Sequence, residues 1–324
     1  MILAGDVGGT SARLAVYRRE APGGAPVHRQ TYPSRDFSSV ENLLNHYLQD
    51  AKLDVDVACL GIAGPVVDGC VTTPNLPWRI DAKAVQAKTP IKQLRLVNDL
   101  QAYARGIESL SATDFFQINA GVPADAGNAA LIAAGTGLGE AGLIWDGARR
   151  QILATEGGHA DFAPANELQI ELLRYLAGRF AHVSYERVLS GPGLVNIHRF
   201  LIEQQGMDDG SAAGAIAGAA DPAAAIADAA LAGTSPACMT ALDLFVSIYG
   251  AAAGNLALKF MARAGLYIGG GIAPKILPKL RGPRFMNAFA DKGRMSGLCQ
   301  SFPVKVILDT TTALRGAALF ACDP

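Results

Sequence analysis

Five side chains stand in settings that permit chemistry: Asp6, Asn98, Asp99, Glu156 and His159. Glu156 and His159 belong to the stretch EGGH, with Gly157 and Gly158 between them. A carboxylate and an imidazole at that spacing suit a metal pair on a helix, an acid–base pair, or a surface for a ligand rich in hydroxyls. Two consecutive glycines argue against a helix, since each costs about 1 kcal/mol relative to alanine. No cysteine follows in ADFAPANELQIELL to hold zinc. These features favour a loop that turns Glu156 and His159 toward one ligand over a helical metal pair.

Asn98 and Asp99 end the apolar run LRLV. A free aspartate titrates near about 3.9, so Asp99 is a weak base at neutral pH. That suffices for phosphoryl transfer, where the transition state is loose and the alcohol proton leaves late. The simpler reading of these residues alone is that they cap the next helix, LQAYARGIESL.

Glycine turns after apolar runs let backbone N–H groups approach phosphate oxygens. The chain has three: Gly8-Gly9-Thr10, Gly135-Thr136-Gly137 and Gly269-Gly270-Gly271. Each alone reads as a tight hairpin turn, whereas the three together favour a shared polyphosphate ligand. None is a P-loop, and GTGLGE leads into the strand-like AGLIW rather than a helix, which removes the dinucleotide fingerprint. Asp6, just before the first turn, suits magnesium held through water. Its alternative is a carboxylate that hydrogen-bonds its own turn.

Alternating strand-like and helix-like runs must position these groups, which predicts the α/β class. ILAGDV and RLAVYR read as strands joined through GGTSA, followed by VHRQTYP. Val40, Leu43, Leu44, Tyr47 and Leu48 follow helical spacing behind Ser38 or Ser39 as a cap. VACLGIAGPV and QLRLVND read as strands, KAVQAK and LQAYARGIESL as helices. The pattern then restarts, because ALIAAGTGLGEAGLIW repeats the form of ILAGDVGGTSARLAVY. Helices are expected near 167–180, 192–205 and 239–263, and a last one from about Thr311 to Phe320. Residues 206–236, rich in Ala and Gly, read as short surface helices without chemistry. Two related α/β lobes are expected: residues 1–109 with about 300–324 as the smaller, and 110–299 as the larger. An active-site cleft between lobes is the usual place for a ligand.

With 324 residues, 50% hydrophobic and 18% charged, the chain suits a compact enzyme. A formal net charge of −1 offers no field for nucleic acid or anionic lipid. No apolar run reads as long enough for a bilayer; GAAAGNLALKF comes nearest but carries Asn255 and Lys259. MILAGDVGGT lacks a signal-peptide pattern, so the cytoplasm is the expected compartment. The five cysteines show no CxxC spacing and read as ordinary buried thiols. His28, His46, His182 and His198 read as surface residues, and Arg13 as either a phosphate contact or a structural cation. Asn75 and Gly64-Pro65 are candidates for the border of a ligand.

Taken in order, GDVGGTSARLAVY, GIAGP, TPNLPW, LVNDLQAYA, AAGTGLG, EGGHADFAP, HVSYERVLSGPGLVN and GGGIAP resemble the bacterial glucokinases. More narrowly, they resemble the cytoplasmic group outside the ROK family, in the actin/hexokinase-like ATPase superfamily. The resemblance runs from residue 2 to about 308. It implies two ribonuclease H-like (actin/hexokinase-type) lobes with an interlobe active-site cleft. It also implies MgATP-dependent phosphorylation of D-glucose at the 6-hydroxyl, giving glucose 6-phosphate at the start of glycolysis. Asn98, Asp99, Glu156, His159 and Glu186 would bind the sugar, with Asp99 as the base. ATP phosphates would lie on Gly8, Gly9, Thr10, Gly135, Thr136 and Gly137, and Gly269, Gly270 and Gly271 would border the adenosine. A homodimer, Asp6 near magnesium, and no zinc, nucleic-acid or membrane partner complete the expectation. The alternatives are a kinase for another hexose or amino sugar on the same fold, or a non-catalytic sugar sensor.

Two features depart from related patterns. ROK kinases follow their Glu-x-Gly-His segment with a cysteine-rich zinc motif, which is missing after His159. LDTTTALRG lacks the Asn-Pro-Gly found at the corresponding turn of related glucokinases, and so leaves the start of the last helix open.

Overall fold

The computed structural model describes residues 1–73 and 76–323; Asn75 lies outside the described residues. The chain divides into two compact units, Met1–Asp114 with Asp309–Pro324, and Phe115–Leu308.

The first unit is built on strands β1 (Ile2–Val7), β2 (Ser11–Tyr17), β3 (His28–Pro33), β4 (Val57–Ile62) and, after the short pair β5 (Cys70–Thr72) and β6 (Arg79–Asp81), β7 (Gln93–Asn98). Their order is β3-β2-β1-β4-β7. The first three strands form an antiparallel meander, and β4 and β7 run parallel to β1. Alternation along β1 sends Leu3 and Val7 to one face and Ile2 and Ala4 to the other. Both faces are covered, so these strands read as near-continuous apolar runs. One face takes helix α1 (Val40–Ala51), whose five expected apolar positions are all buried and whose first turn Ser39 caps through Asn42 N–H. Each such Leu or Val contributes roughly 1.5–3 kcal/mol on burial. The other face packs against Leu314, Ala317 and Ala318 of the chain's last helix, Thr312–Cys322. Helices α2 (Ala82–Lys88) and α3 (Asp99–Gly106) complete the unit.

The second unit contains β8 (Phe115–Asn119), β9 (Ala129–Ala134), β10 (Leu138–Trp145), β11 (Arg150–Thr155), β12 (Gly265–Gly269) and β13 (Val304–Ile307). The order is β11-β10-β9-β12-β13-β8. Strands β11, β10 and β9 form an antiparallel meander, while β12 and β13 run parallel to β9. Strand for strand this repeats the first unit, with β8 added antiparallel at the edge. Helices α4 (Glu167–Ala177), α5 (Gly191–Glu203), α6 (Ala213–Ala217), α7 (Pro222–Ala232), α8 (Pro236–Phe260), α9 (Leu277–Leu280), α10 (Pro283–Ala290) and α11 (Ser296–Ser301) surround it. The chain then ends in α12, the Thr312–Cys322 helix of the first unit.

Several expectations need correction. The strand β13 pairs with β12 and β8 in the second unit, although a boundary at about 300 assigns it to the small lobe. Helix α8 spans 25 residues and is long and apolar enough to cross a bilayer, contrary to the reading of the sequence. Yet 78% of its most apolar window is buried within the protein, as in a core helix. Segment 206–236 is not all surface: α7 buries Ile226, Ala227 and Ala230. His198 is buried rather than exposed. Among the cysteines, Cys322 is exposed and Cys70 half-buried, whereas burial pushes the Cys59 thiol up to about 12.

The start of α12, left open by the missing Asn-Pro-Gly, is organised by Asp309. Its carboxylate accepts the Thr311 N–H at 2.6 Å and pairs with Arg315 at 3.1 Å.

Candidate active site

In the first unit the Gly8–Thr10 turn closes the β1–β2 hairpin. Gly8 N–H donates to Ser11 O at 3.0 Å, and Ser34 Oγ donates to Gly8 O at 2.7 Å. Asp6, at the end of β1, pairs with Arg13 across the hairpin at 2.8 Å. Arg13 also donates to Thr310 O at 3.2 Å, which makes it a structural cation here. Burial raises the Asp6 carboxyl above its ordinary value, and Arg13 pulls the other way. The Asp6 side chain is 13% exposed, an anionic oxygen donor beside a glycine turn whose burial penalises its charge. That chemistry fits a divalent cation nearby.

Asn98 and Asp99 sit where β7 ends and α3 begins. The capping reading of this pair holds for Asn98. Asn98 caps α3: its Oδ1 accepts the Leu100 N–H at 2.9 Å, and Gln101 returns the bond to Asn98 N–H at 3.1 Å. Asn98 Nδ2 donates to Gly64 O at 3.2 Å, which ties the cap to the Gly64-Pro65 turn. These bonds use only part of an amide's capacity of two N–H donors and an acceptor oxygen. Asp99 Oδ1 also accepts the Leu100 N–H at 2.9 Å.

In the second unit Gly157–His159 form a single 3-10 turn, not a longer helix. The two glycines are there for close approach rather than for unusual torsions. A Cβ on Gly158 would lie 2.0 Å from Leu138 O, and one on Gly157 would lie 2.1 Å from Glu140 Oε2. Glu156 and His159 flank buried Gly158 with side chains 67% and 60% exposed and 4.0 Å apart. The loop is clamped to residues 182–185, since Tyr185 N–H donates to Ala160 O and Phe162 N–H to Val183 O. His182, read from the sequence as a bystander, forms a bond with the His159 carbonyl through Nε2 at 3.0 Å.

Glu186 follows in the Tyr185–Arg187 turn. Its Oε2 accepts the Leu138 N–H at 3.0 Å, which places it against the Gly135–Gly137 turn. Glu156, His159 and Glu186 are thus gathered around the start of β10. The second and third glycine turns adjoin as well, because they follow the parallel neighbours β9 and β12. Gly270 has φ +82°, and a Cβ there would lie 2.2 Å from Ala134 O. Glu140 went unread, although a carboxylate inside the apolar run LGEAGLIW is a visible signal. It is 6% exposed, and burial raises its pKa against the pull of Lys259.

Two ribonuclease H-like units, each with a strand–glycine turn–strand hairpin beside parallel strands, define the fold of the actin/hexokinase-type sugar kinases. A solved glucokinase from Balamuthia mandrillaris, in complex with glucose, shares it with a TM-score of 0.85 at 22% identity, over 99% of this chain and 93% of that one. The Glucokinase family model matches residues 3–323, and the chain belongs to the glucokinase family. A glucokinase of Trichormus variabilis is 39% identical over 99% of this chain and 98% of its own. The crystal structure of a glucokinase from an Antarctic psychrotroph is similar at 34% identity and a TM-score of 0.82, covering 99% and 98%.

Proposed function

We propose that this chain transfers the γ-phosphoryl group of MgATP to the 6-hydroxyl of D-glucose, forming glucose 6-phosphate, ADP and a proton. The observation that carries the proposal is the family match across residues 3–323. Asn98, Asp99, Glu156, His159 and Glu186 are the sugar ligands of this reading. Each sugar hydroxyl is both donor and acceptor, so carboxylates, an amide and an imidazole suit the ring. Hydrogen bonds to charged partners contribute about 1.5–3 kcal/mol each, enough to reject a sugar with a misplaced hydroxyl.

Asp99 orients the 6-hydroxyl and takes its proton as the oxygen bonds to phosphorus and the bond to the β-phosphate oxygen breaks. The backbone N–H groups of the Gly8–Thr10 and Gly135–Gly137 turns receive the phosphates, and Gly269–Gly271 border the adenosine. Asp6 would help hold the magnesium that accompanies ATP, which would neutralise charge on the phosphates. Family resemblance supports a homodimer in the cytoplasm, and light scattering on the purified chain reads the first of these.

The test is ADP release with glucose, mannose, fructose and N-acetylglucosamine as acceptors. Glucose should give the highest kcat/KM. Turnover that prefers another sugar makes the chain a kinase for that hexose; no sugar-dependent ADP removes kinase activity altogether.

A further inference from the structure

His198 and the segment 206–236 carry no chemistry in the sequence reading, yet the fold brings them together. His198 lies on α5, Asp209 beyond that helix, and Cys238 in the first turn of α8. Their ligand atoms all lie within 4.8 Å of one another. Asp209 Oδ1 is the meeting point. His198 Nε2 stands 2.6 Å from it, Ser235 Oγ donates to it at 3.2 Å, and Cys238 Sγ is 3.7 Å away. The His198 and Asp209 side chains are 9% and 14% exposed, and Cys238 is fully buried.

We propose that His198, Asp209 and Cys238 bind a divalent ion of the zinc class. An imidazole nitrogen, a carboxylate oxygen and a thiolate make up the donor set of a borderline-soft tetrahedral ion. Bonds of about 2.0–2.3 Å separate tetrahedral donors by roughly 3.3–3.7 Å. The oxygen and sulfur already have that spacing, while the imidazole nitrogen has to withdraw by under about 1 Å. Burial and the Asp209 carboxylate push the Cys238 thiol up, so a thiolate there requires the ion itself. With the Asp209 carboxylate the thiolate supplies two negative charges, which a divalent ion neutralises. Uptake expels the thiol proton and clears His198 Nε2, whose proton leaves or passes to Nδ1. Water fills the fourth position, as in zinc sites with three protein ligands.

This site is separate from the sugar and phosphate residues, and from the loop after His159 where ROK kinases carry their zinc cysteines. Its effect is structural: a bound ion fastens α5, the turn at Asp209 and α8, and stabilises the folded state by mass action.

Cobalt(II) is the probe. The full-length protein, stripped with a chelator, should take up one equivalent and show a thiolate-to-cobalt band in the near ultraviolet with tetrahedral visible absorption. Zinc should displace it and raise the thermal midpoint. Cys238→Ser, which keeps a donor toward Asp209, should lose the band, and His198→Gln should bind at least 100-fold more weakly. Glucose phosphorylation by Cys238→Ser should match the parent, which certifies its fold. No stoichiometric uptake by the wild type means a metal-free hydrogen-bonded trio and overturns the proposal. A thiolate band that survives in Cys238→Ser overturns it equally, since another cysteine then holds the metal.

Discussion

Glu186 Oε2 accepts the backbone N–H of Leu138 at 3.0 Å, and a Cβ on Gly137 would stand 2.5 Å from the same oxygen. A carboxylate proposed for the sugar is therefore joined to the residue that follows a proposed phosphate turn. Displacing one disturbs the other. Glu186→Ala should raise KM for both glucose and ATP, each by roughly 10-fold or more, as expected for losing a charged hydrogen bond. Glu186→Gln keeps an oxygen for Leu138 and should spare KM for ATP while raising it for glucose. An unchanged ATP KM in Glu186→Ala breaks the link.

Asp99→Ala should lower kcat by about 10²–10⁴-fold, the usual contribution of a positioned base. The fold should survive, because Asn98 caps α3 independently. Steady-state kinetics beside a thermal melt separate the two effects. Undiminished turnover removes Asp99 as the base.

Gly158→Ala places a Cβ against Leu138 O, where backbone meets backbone and neither side chain can yield. The expected cost is about 1–3 kcal/mol of stability, with a rise in glucose KM larger than that in ATP KM as Glu156 and His159 shift. Gly297→Ala is the control: nothing lies within 4 Å of its Cβ position in α11, so its melt should stay near the parent's. Equal melts for all three proteins dispose of the packing argument.

Glu140 has a carboxyl raised by burial above its ordinary 4.5. The folded state then holds a proton that the unfolded chain has released, so stability falls as pH climbs from about 4.5 toward the raised folded value. Glu140→Gln removes that loss. Its thermal midpoint should exceed the parent's at neutral pH, and the gap should narrow as the solution is acidified toward the ordinary carboxylate value. A gap that is constant or widens on acidification rules out this origin.

Much of the architecture was legible because its signals are local. The apolar positions of α1 repeat within a few residues and all face the core, and Ser39 caps them. The strand–glycine–strand forms at Gly9 and Gly135 announced two hairpins, and the structure extends that likeness to matching strand order in both units. Strands β8 and β11 passed unread because half-exposed edge strands bury too few side chains to alternate clearly.

The candidate site divides in the same way. The EGGH spacing drew attention to Glu156 and His159 and the end of LRLV to Asp99, while Glu186 was nominated only by the resemblance to the glucokinases. What those glycines are for required the fold: torsions do not demand Gly157 and Gly158, but Glu140 and the Leu138 carbonyl leave no room for a Cβ. His198 and Cys238 lie far apart in sequence and meet only because α5 packs against α8. Class and family were therefore written in the sequence by itself, through periodicity, turns and motifs that act over a few residues. Tertiary structure alone decided which backbones touch, which carboxylates lose water and which donors converge on one point, because these depend on packing between segments remote in the chain.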